Sequence, residues 1–278
     1  MALTIRAAIL EAASGLEGAG VASPLVDAQL IAAHLLGCGR AELVFRGDDA
    51  VPEGWEEAIR RRMHREPLQW ILGSAPMGEL ELAVGPGVFI PRPETEQLAS
   101  WAIGELPALG PQPVVVDLCT GSGALALAIA HVCPGSTVTA VELDPTALGY
   151  ARRNAERLGL EVRLVQGDAT DAELLADLRG TVDLVVSNPP YVPEGTVDQP
   201  EVGLDPHHAV FGGEDGMSVI SPMSRLIARL LRPGGVVGVE HDDNTGPQVR
   251  RALGEAGLRN PVTRADLAGR DRFTTACR

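Results

Sequence analysis

The sequence predicts an α/β fold: a doubly wound, mostly parallel Rossmann-like sheet over residues 93–278, preceded by a small all-helical domain over 1–73 and a β-hairpin linker over 74–92. Three observations predict it. Apolar residues recur at helical spacing through the first 73 positions, and the period shortens to two between Gly73 and Pro93. From Pro113 onward, short β-branched runs alternate with helical segments. Repeated βα units of this size build a parallel sheet that holds its ligand at the carboxyl ends of the strands.

The helical spacing is carried by Leu3, Ile5, Ala8 and Ile9, by Leu25, Ala28, Leu30, Ile31 and Leu35, and by Trp55, Ile59 and Met63. Ser23-Pro24 starts one helix, with serine as cap and proline in the first turn. Gly37 and Gly39 end it. Three to five helices are expected, and nothing in them points to catalysis. Gly78 to Val84 then alternates, Gly85-Pro86-Gly87 turns the chain, and Val88-Phe89-Ile90 returns as the second arm of a hairpin. A helix follows from Thr95 to Leu106. Strands are expected at Val114–Leu118, Thr137–Leu143, Glu161–Gln166, Val182–Ser187, Gly235–Glu240 and Arg272–Cys277. Helices are expected at Ala124–Val132, Pro145–Leu158, Asp171–Leu178, Ser218–Leu231 and Gly246–Ala256. Two long connections, Tyr191 to Met217 and Leu258 to Asp271, carry no regular pattern.

Composition narrows the function. The 278 residues suffice for one large or two modest domains. Net charge is −14, and all 23 basic residues are arginine. A protein that grips a nucleic-acid backbone carries a basic surface, which here would have to be local. The best candidate is Arg60-Arg61-Arg62 with Arg65, and the interleaved Glu56, Glu57 and Glu66 make it read as a solvated helix face. The four cysteines lack any C-x-x-C spacing, so no metal site or disulfide is expected and a reduced compartment suits them. His207-His208 reads as a satisfied loop pair. The longest apolar stretch, Gly123 to Val132, is too short to span a membrane, and the N-terminus lacks signal-peptide character. Cytoplasmic location is the expectation.

The chemistry is concentrated at strand ends. Val182–Ser187 runs into Asn188-Pro189-Pro190-Tyr191. Two prolines stop the strand, remove two backbone donors and fix φ, leaving a rigid corner whose carbonyls can accept hydrogen bonds. Asn188 adds one side-chain acceptor and two donors. A planar amide or an aromatic amine fits such a corner, with Tyr191 beside its plane. An ordinary turn would use the same residues. No titratable base is evident beside the motif. The first strand of the sheet enters Asp117-Leu118-Cys119-Thr120-Gly121-Ser122-Gly123, a loop whose glycines admit close approach of a ligand. It lacks the G-x-G-x-x-G fingerprint of a dinucleotide site. A charged, phosphate-free cofactor such as S-adenosylmethionine suits it better, with Asp117 either holding the loop or facing the cofactor's cationic groups. Glu142 ends the second strand and can accept from ribose hydroxyls. Asp168-Ala169 follow the third, where Asp168 can accept from an adenine amino group. Glycine loop, Glu142, Asp168 and Asn188 end four successive strands and so face one rim.

These residues resemble the protein-(glutamine-N5) methyltransferases that modify the Gly-Gly-Gln motif of bacterial peptide chain release factors. The resemblance covers nearly the whole chain. It includes Arg65-Glu66-Pro67-Leu68-Gln69-Trp70-Ile71-Leu72-Gly73, the hairpin, Phe89-Ile90-Pro91-Arg92-Pro93-Glu94-Thr95-Glu96, Thr120-Gly121-Ser122-Gly123 and Asn188-Pro189-Pro190-Tyr191. Asp205-Pro206, Gly212-Gly213-Glu214-Asp215-Gly216, Pro233-Gly234-Gly235 and the Glu240-His241 strand end also agree. Cys119 stands where glycine is usual in that family and Glu142 where aspartate is common. Asp242-Asp243-Asn244 departs from the family pattern, and that loop receives no role.

The resemblance implies an S-adenosylmethionine-dependent enzyme of the Rossmann-like methyltransferase class. Its sulfonium methyl would pass in line to the glutamine side-chain nitrogen, with both amide hydrogens held by the Asn188 side-chain oxygen and the Pro189 carbonyl. Asn188, Pro189, Pro190 and Tyr191 are then the catalytic set. Phe89, Asp117, Cys119, Thr120, Gly121, Ser122, Gly123, Glu142, Asp168, Ala169 and Asn188 would hold the cofactor. Arg92, Pro93 and Glu94 would join the corner in binding the protein substrate, although Phe89 reads equally as plain core. A release factor is the expected partner of a monomeric enzyme that touches neither nucleic acid nor membrane, with the helical domain as its docking element. The rival readings are a DNA or RNA exocyclic-amine methyltransferase, an NAD-dependent oxidoreductase, and a binder that kept the fold without turnover. Weak basic character, 3% aromatic residues and the missing third glycine argue against the first two.

Overall fold

The computed structural model describes residues 3–195 and 201–278. The chain forms two compact units, Met1–Ser74 with Gln199–Leu204, and Ala75–Asp198 with Asp205–Arg278.

The first unit packs α1 (Ile5–Gly18), α2 (Pro24–Leu36), α3 (Trp55–Met63) and α4 (Leu68–Leu72), with a 3-10 turn at Arg40–Phe45. Its core closes around Ile5, Leu16, Ala28, Ile31, Trp55 and Ile59. Pro24 sits in the first turn of α2 as expected, but Ser23 makes no side-chain capping bond. Gly37 ends that helix in the left-handed conformation glycine favours. The arginine cluster is a solvated face only at Arg60, which is exposed, and Arg61 and Arg65 are half-buried. Arg62 is buried, with Nε donating to Asp27 Oδ2 at 2.7 Å. Arg65 pairs with Glu201 at 2.6 Å, Arg61 with Glu66 and Arg60 with Glu57. A guanidinium is buried only with carboxylate partners, and helical spacing alone did not reveal that Asp27 and Glu201 supply them.

The second unit opens with a hairpin, β1 (Ser74–Met77) and β2 (Leu80–Ala83). Its turn falls at Gly78-Glu79, and Val88-Phe89-Ile90 forms no strand, contrary to the arms expected. Gly78 has φ +57, so the chain reverses there before Gly85-Pro86-Gly87 is reached. The following helix, α5 (Thr95–Leu109), precedes β3 (Val114–Leu118), α6 (Ala124–Val132), β4 (Thr137–Glu142), α7 (Pro145–Leu158), β5 (Arg163–Gln166) and β6 (Val182–Ser187). Then come α8 (His207–Val210), α9 (Ile220–Leu230), β7 (Leu231–Glu240), α10 (Gly246–Glu255), β8 (Arg259–Ala265) and β9 (Asp271–Cys277). The seven-stranded sheet runs β5-β4-β3-β6-β7-β9-β8, parallel through β7 and antiparallel at β9 and β8.

Successive side chains of β3 bury on opposite faces. Val115 joins Leu98, Leu127 and Ile129 on one side. Val116 and Leu118 join Ile220, Leu226 and Val249 on the other. Burial on both faces is why these strands read as continuous apolar runs.

Two expectations fail here. Asp171–Leu178 is not a helix; only Ala176–Leu178 forms a 3-10 turn. Asp168 and Asp171 each accept from backbone N–H groups two residues on, local bonds that compete with helix formation. The connection from Leu258 to Asp271 contains β8, an edge strand with Pro261 and three arginine-or-asparagine positions facing solvent. Such an edge carries little apolar signal.

Candidate active site

Register brings the predicted rim together. Leu118 pairs with Val141 of β4 and with Ser187 of β6, and Glu142 pairs with Gln166 of β5. The glycine loop, Glu142, Asp168 and Asn188 therefore emerge side by side at the carboxyl ends.

Asp117 is sealed from solvent. Its Oδ2 accepts from Thr120 Oγ1 at 2.5 Å and from the Ala126 amide at 3.1 Å, tying the loop to the start of α6. Its Oδ1 is buried without a partner among the described residues. Burial pushes this carboxyl up to about 7, against the pull of Thr120 and Ala126. Glu142 grips the same loop: Oε2 accepts from Gly121 N at 2.8 Å, and Oε1 from the Leu143 and Asp144 amides at 2.8 and 3.0 Å. Cys119 has φ +62, a left-handed conformation that glycine adopts at lower cost. Ser122 is buried and its hydroxyl has no partner among the described residues. Asn154 of α7, also sealed, donates to the Ser122 carbonyl at 2.9 Å and exchanges two bonds with the Ala83 backbone. Asp168 is exposed, with Oδ1 held by Thr170, and Ala169 beside it is buried.

The corner itself is braced from three directions. Asn188 Nδ2 donates to Thr95 Oγ1 at 3.0 Å. Tyr191 Oη donates to Glu240 Oε1 at 2.9 Å. Behind the prolines, a Cβ on Gly212 would stand 2.7 Å from the Pro190 carbonyl oxygen, and one on Gly216 only 2.3 Å from that of Tyr191. Pro189 is buried, while Asn188, Pro190 and Tyr191 are half-buried. Beside them the Arg92 guanidinium lies 5.1 Å from the Phe89 ring centre and pairs with Asp205 at 2.5 Å. Phe89, Arg92 and Glu94 are half-buried and Pro93 is exposed.

The resemblance drew attention to the segments holding Thr95, Asp205, Gly212, Gly216 and Glu240, but sequence reasoning gave none of them a role in this assembly, and Asn154 was missed altogether. That reasoning named no titratable base beside the corner; the structure places the Glu240 carboxylate against Tyr191 there. Glu240 carried a further signal, since it ends a strand as Glu142 does. Thr95 reaches Asn188 across 93 positions of chain, a distance no local pattern spans. His207 and His208 lie in α8 and not in a loop; His207 is tilted against Phe211 with ring centres 4.5 Å apart, and His208 is 3.5 Å from Asp144. Among the described residues no cluster could hold a metal ion.

This sheet, glycine loop and row of strand-end acids define a methyltransferase domain. The family model for the methyltransferase small domain matches residues 85–203. The fold is shared with a methyltransferase from Pyrococcus furiosus, with a TM-score of 0.53 and 20% identity over 72% of this chain and 90% of that one. A 16S rRNA N2 methyltransferase from T. thermophilus, solved in complex with AdoMet and guanosine, gives 0.51 and 24% over 74% and 49%.

The family model for the PrmC N-terminal domain matches residues 7–73. The release factor glutamine methyltransferase of Corynebacterium glutamicum is 55% identical over 275 residues, 99% of each chain. That of Mycolicibacterium smegmatis is 52% identical over 99% of this chain and 98% of its own. The chain belongs to the release factor glutamine methyltransferase family.

Proposed function

We propose that this protein methylates the side-chain amide nitrogen (N5) of the glutamine in the Gly-Gly-Gln motif of peptide chain release factors, using S-adenosylmethionine. The braced Asn188 corner carries the reading. With Nδ2 tied to Thr95, Oδ1 is the end that Asn188 offers to a substrate. The Pro189 carbonyl follows it in the chain, and the prolines at 189 and 190 fix φ and hold the corner rigid.

The residues present fit the cofactor. Asp117 holds an unpartnered buried oxygen suited to a cationic group, Glu142 an oxygen pair at the loop, and Asp168 an exposed carboxylate at the next strand end. Cys119, Thr120, Gly121, Ser122, Gly123, Ala169 and Phe89 would line the same space. When bound, S-adenosylmethionine supplies an electrophilic methyl on sulfur. The protein's own contribution is to hold the acceptor. An amide nitrogen is a weak nucleophile because its lone pair is shared with the carbonyl. Holding both N–H groups at about 2.7–3.2 Å from Asn188 Oδ1 and the Pro189 carbonyl would fix the amide plane and favour positive charge developing on nitrogen. Tyr191 would pack beside that plane. Positioning and electrostatics carry such a step without a strong base. Arg92, Pro93 and Glu94 would contact the substrate backbone around the glutamine, and the helical residues 1–73 would dock the release factor. Cytoplasmic location and a monomeric state belong to the same reading.

The test is methyl transfer from labelled S-adenosylmethionine to a purified release factor, with the modified peptide located by mass spectrometry. One methyl on the Gly-Gly-Gln glutamine is expected. Transfer to nucleic acid and none to that glutamine would overturn the proposal.

A further inference from the structure

We infer that residues 205–211, which follow the Asn188 corner and contain α8, form a strap over the cofactor site, latched by His208 to Asp144, and that this latch sets how fast S-adenosylmethionine enters and S-adenosylhomocysteine leaves. The inference rests on the cofactor proposed above and adds to it the part of the chain that closes the site.

Strand order carries the argument. β4 and β6 lie on either side of β3, and β3 ends in the glycine loop, residues 119–123. Asp144 stands two residues beyond the end of β4 and caps α7, accepting from the Thr146 and Ala147 amides. The strap is rooted on the far side of that loop. Val192, next to Tyr191 beyond the end of β6, donates its N–H to the Val210 carbonyl at 3.0 Å and accepts from Gly212 N at 3.0 Å. His208 Nε2 nevertheless lies 3.5 Å from Asp144 Oδ2. A contact between the chains leaving β4 and β6 crosses the carboxyl end of β3, where the glycine loop lies.

A second seam fixes the start of the strap. The Asp205 side chain is sealed from solvent and accepts from Arg92 Nη2 at 2.5 Å. Arg92 belongs to the linker that carries Phe89, and this linker is pressed in turn against α7: a Cβ on Gly85 or Gly87 would clash with Tyr150 or Thr146. Linker, α7 and strap thus ring the rim of the sheet at the glycine loop. The two seams differ in strength. Removing the guanidinium from a sealed carboxylate leaves a buried charge unpaired, so the Arg92–Asp205 seam holds. The His208 side chain is 49% exposed and that of Asp144 25%, and a pair open to water to this degree holds weakly. The ring opens at His208.

The test is the exchange of S-adenosylhomocysteine, followed by stopped-flow binding to the natural protein, His208→Ala and Asp144→Ser, with no release factor present. Serine at 144 keeps the helix cap while removing the carboxylate. A latch slows entry and exit alike. Both rate constants should therefore rise by about threefold to fivefold in either variant, the reach of an exposed ion pair, with Kd within about twofold of the natural value. His208→Arg keeps a donor for Asp144 and should restore the natural rates. Faster exit with unchanged entry is the mark of a lost direct contact with the cofactor and would overturn the latch. Unchanged rates in both variants, with S-adenosylhomocysteine still bound, would overturn it too and leave the cofactor assignment standing. No binding by the natural protein would overturn both.

Discussion

Asn188 exposes one end of its amide because Thr95 occupies the other, and this is the smallest unit of the proposed chemistry. Asn188→Ala should lower the methyl-transfer rate on the order of a hundredfold, as loss of one preorganised hydrogen bond does; single-turnover assays would measure it. Gly216 is a second sensitive position. Its φ is +74, and a Cβ there would stand 2.3 Å from the Tyr191 carbonyl oxygen, which is backbone and cannot yield cheaply. Gly216→Ala should displace Tyr191, sharply reduce turnover and lower Tm, while the same change at Gly254, open and helical, should leave both near their natural values. Asp117, Glu142, Asp168 and Asn188 were legible as candidates in the sequence because each is a polar residue at or just beside the carboxyl end of a strand. Thr95, Gly212 and Gly216 were not, because their roles come from contacts made far along the chain.

Elements set the loop that these residues share. Asn154 of α7 ties the Ser122 carbonyl and both backbone groups of Ala83 to one buried side chain. Asn154→Ala strands those groups and should cost about 2–3 kcal/mol in urea unfolding, with weaker S-adenosylmethionine binding. The β3–α6 turn adds a pH dependence. Asp117 rises from 3.8 to about 7 in the folded protein, so its contribution is full below the unfolded value. It is lost as pH rises through about 7. Between pH 5 and 8 the natural protein should lose on the order of 2 kcal/mol more stability than Asp117→Asn; equal losses would show that burial does not raise this carboxyl. The bounds of β3, α6, α7 and β6 were readable because apolar runs and caps agree there. β8 was hidden by its exposure as an edge, and the segment after Asp168 by its local aspartate bonds.

For the whole molecule, charge separates the two amino-group chemistries that the corner could serve. Net charge is −14, and Arg60, Arg61, Arg62 and Arg65, the best basic cluster in the sequence, are each paired with a carboxylate. The protein should pass through heparin resin at low salt without retention; salt-dependent retention would favour a nucleic-acid substrate. A protein acceptor agrees with the family to which the chain belongs. The most direct measurement is the mass of the Gly-Gly-Gln peptide of a release factor after incubation with S-adenosylmethionine and either the natural protein or Asn188→Ala. The expected result is one added methyl on the glutamine with the natural protein and almost none with the variant over the same time. Equal methylation by both would contradict the role given to the Asn188 corner, and methylation by neither would contradict the proposed substrate.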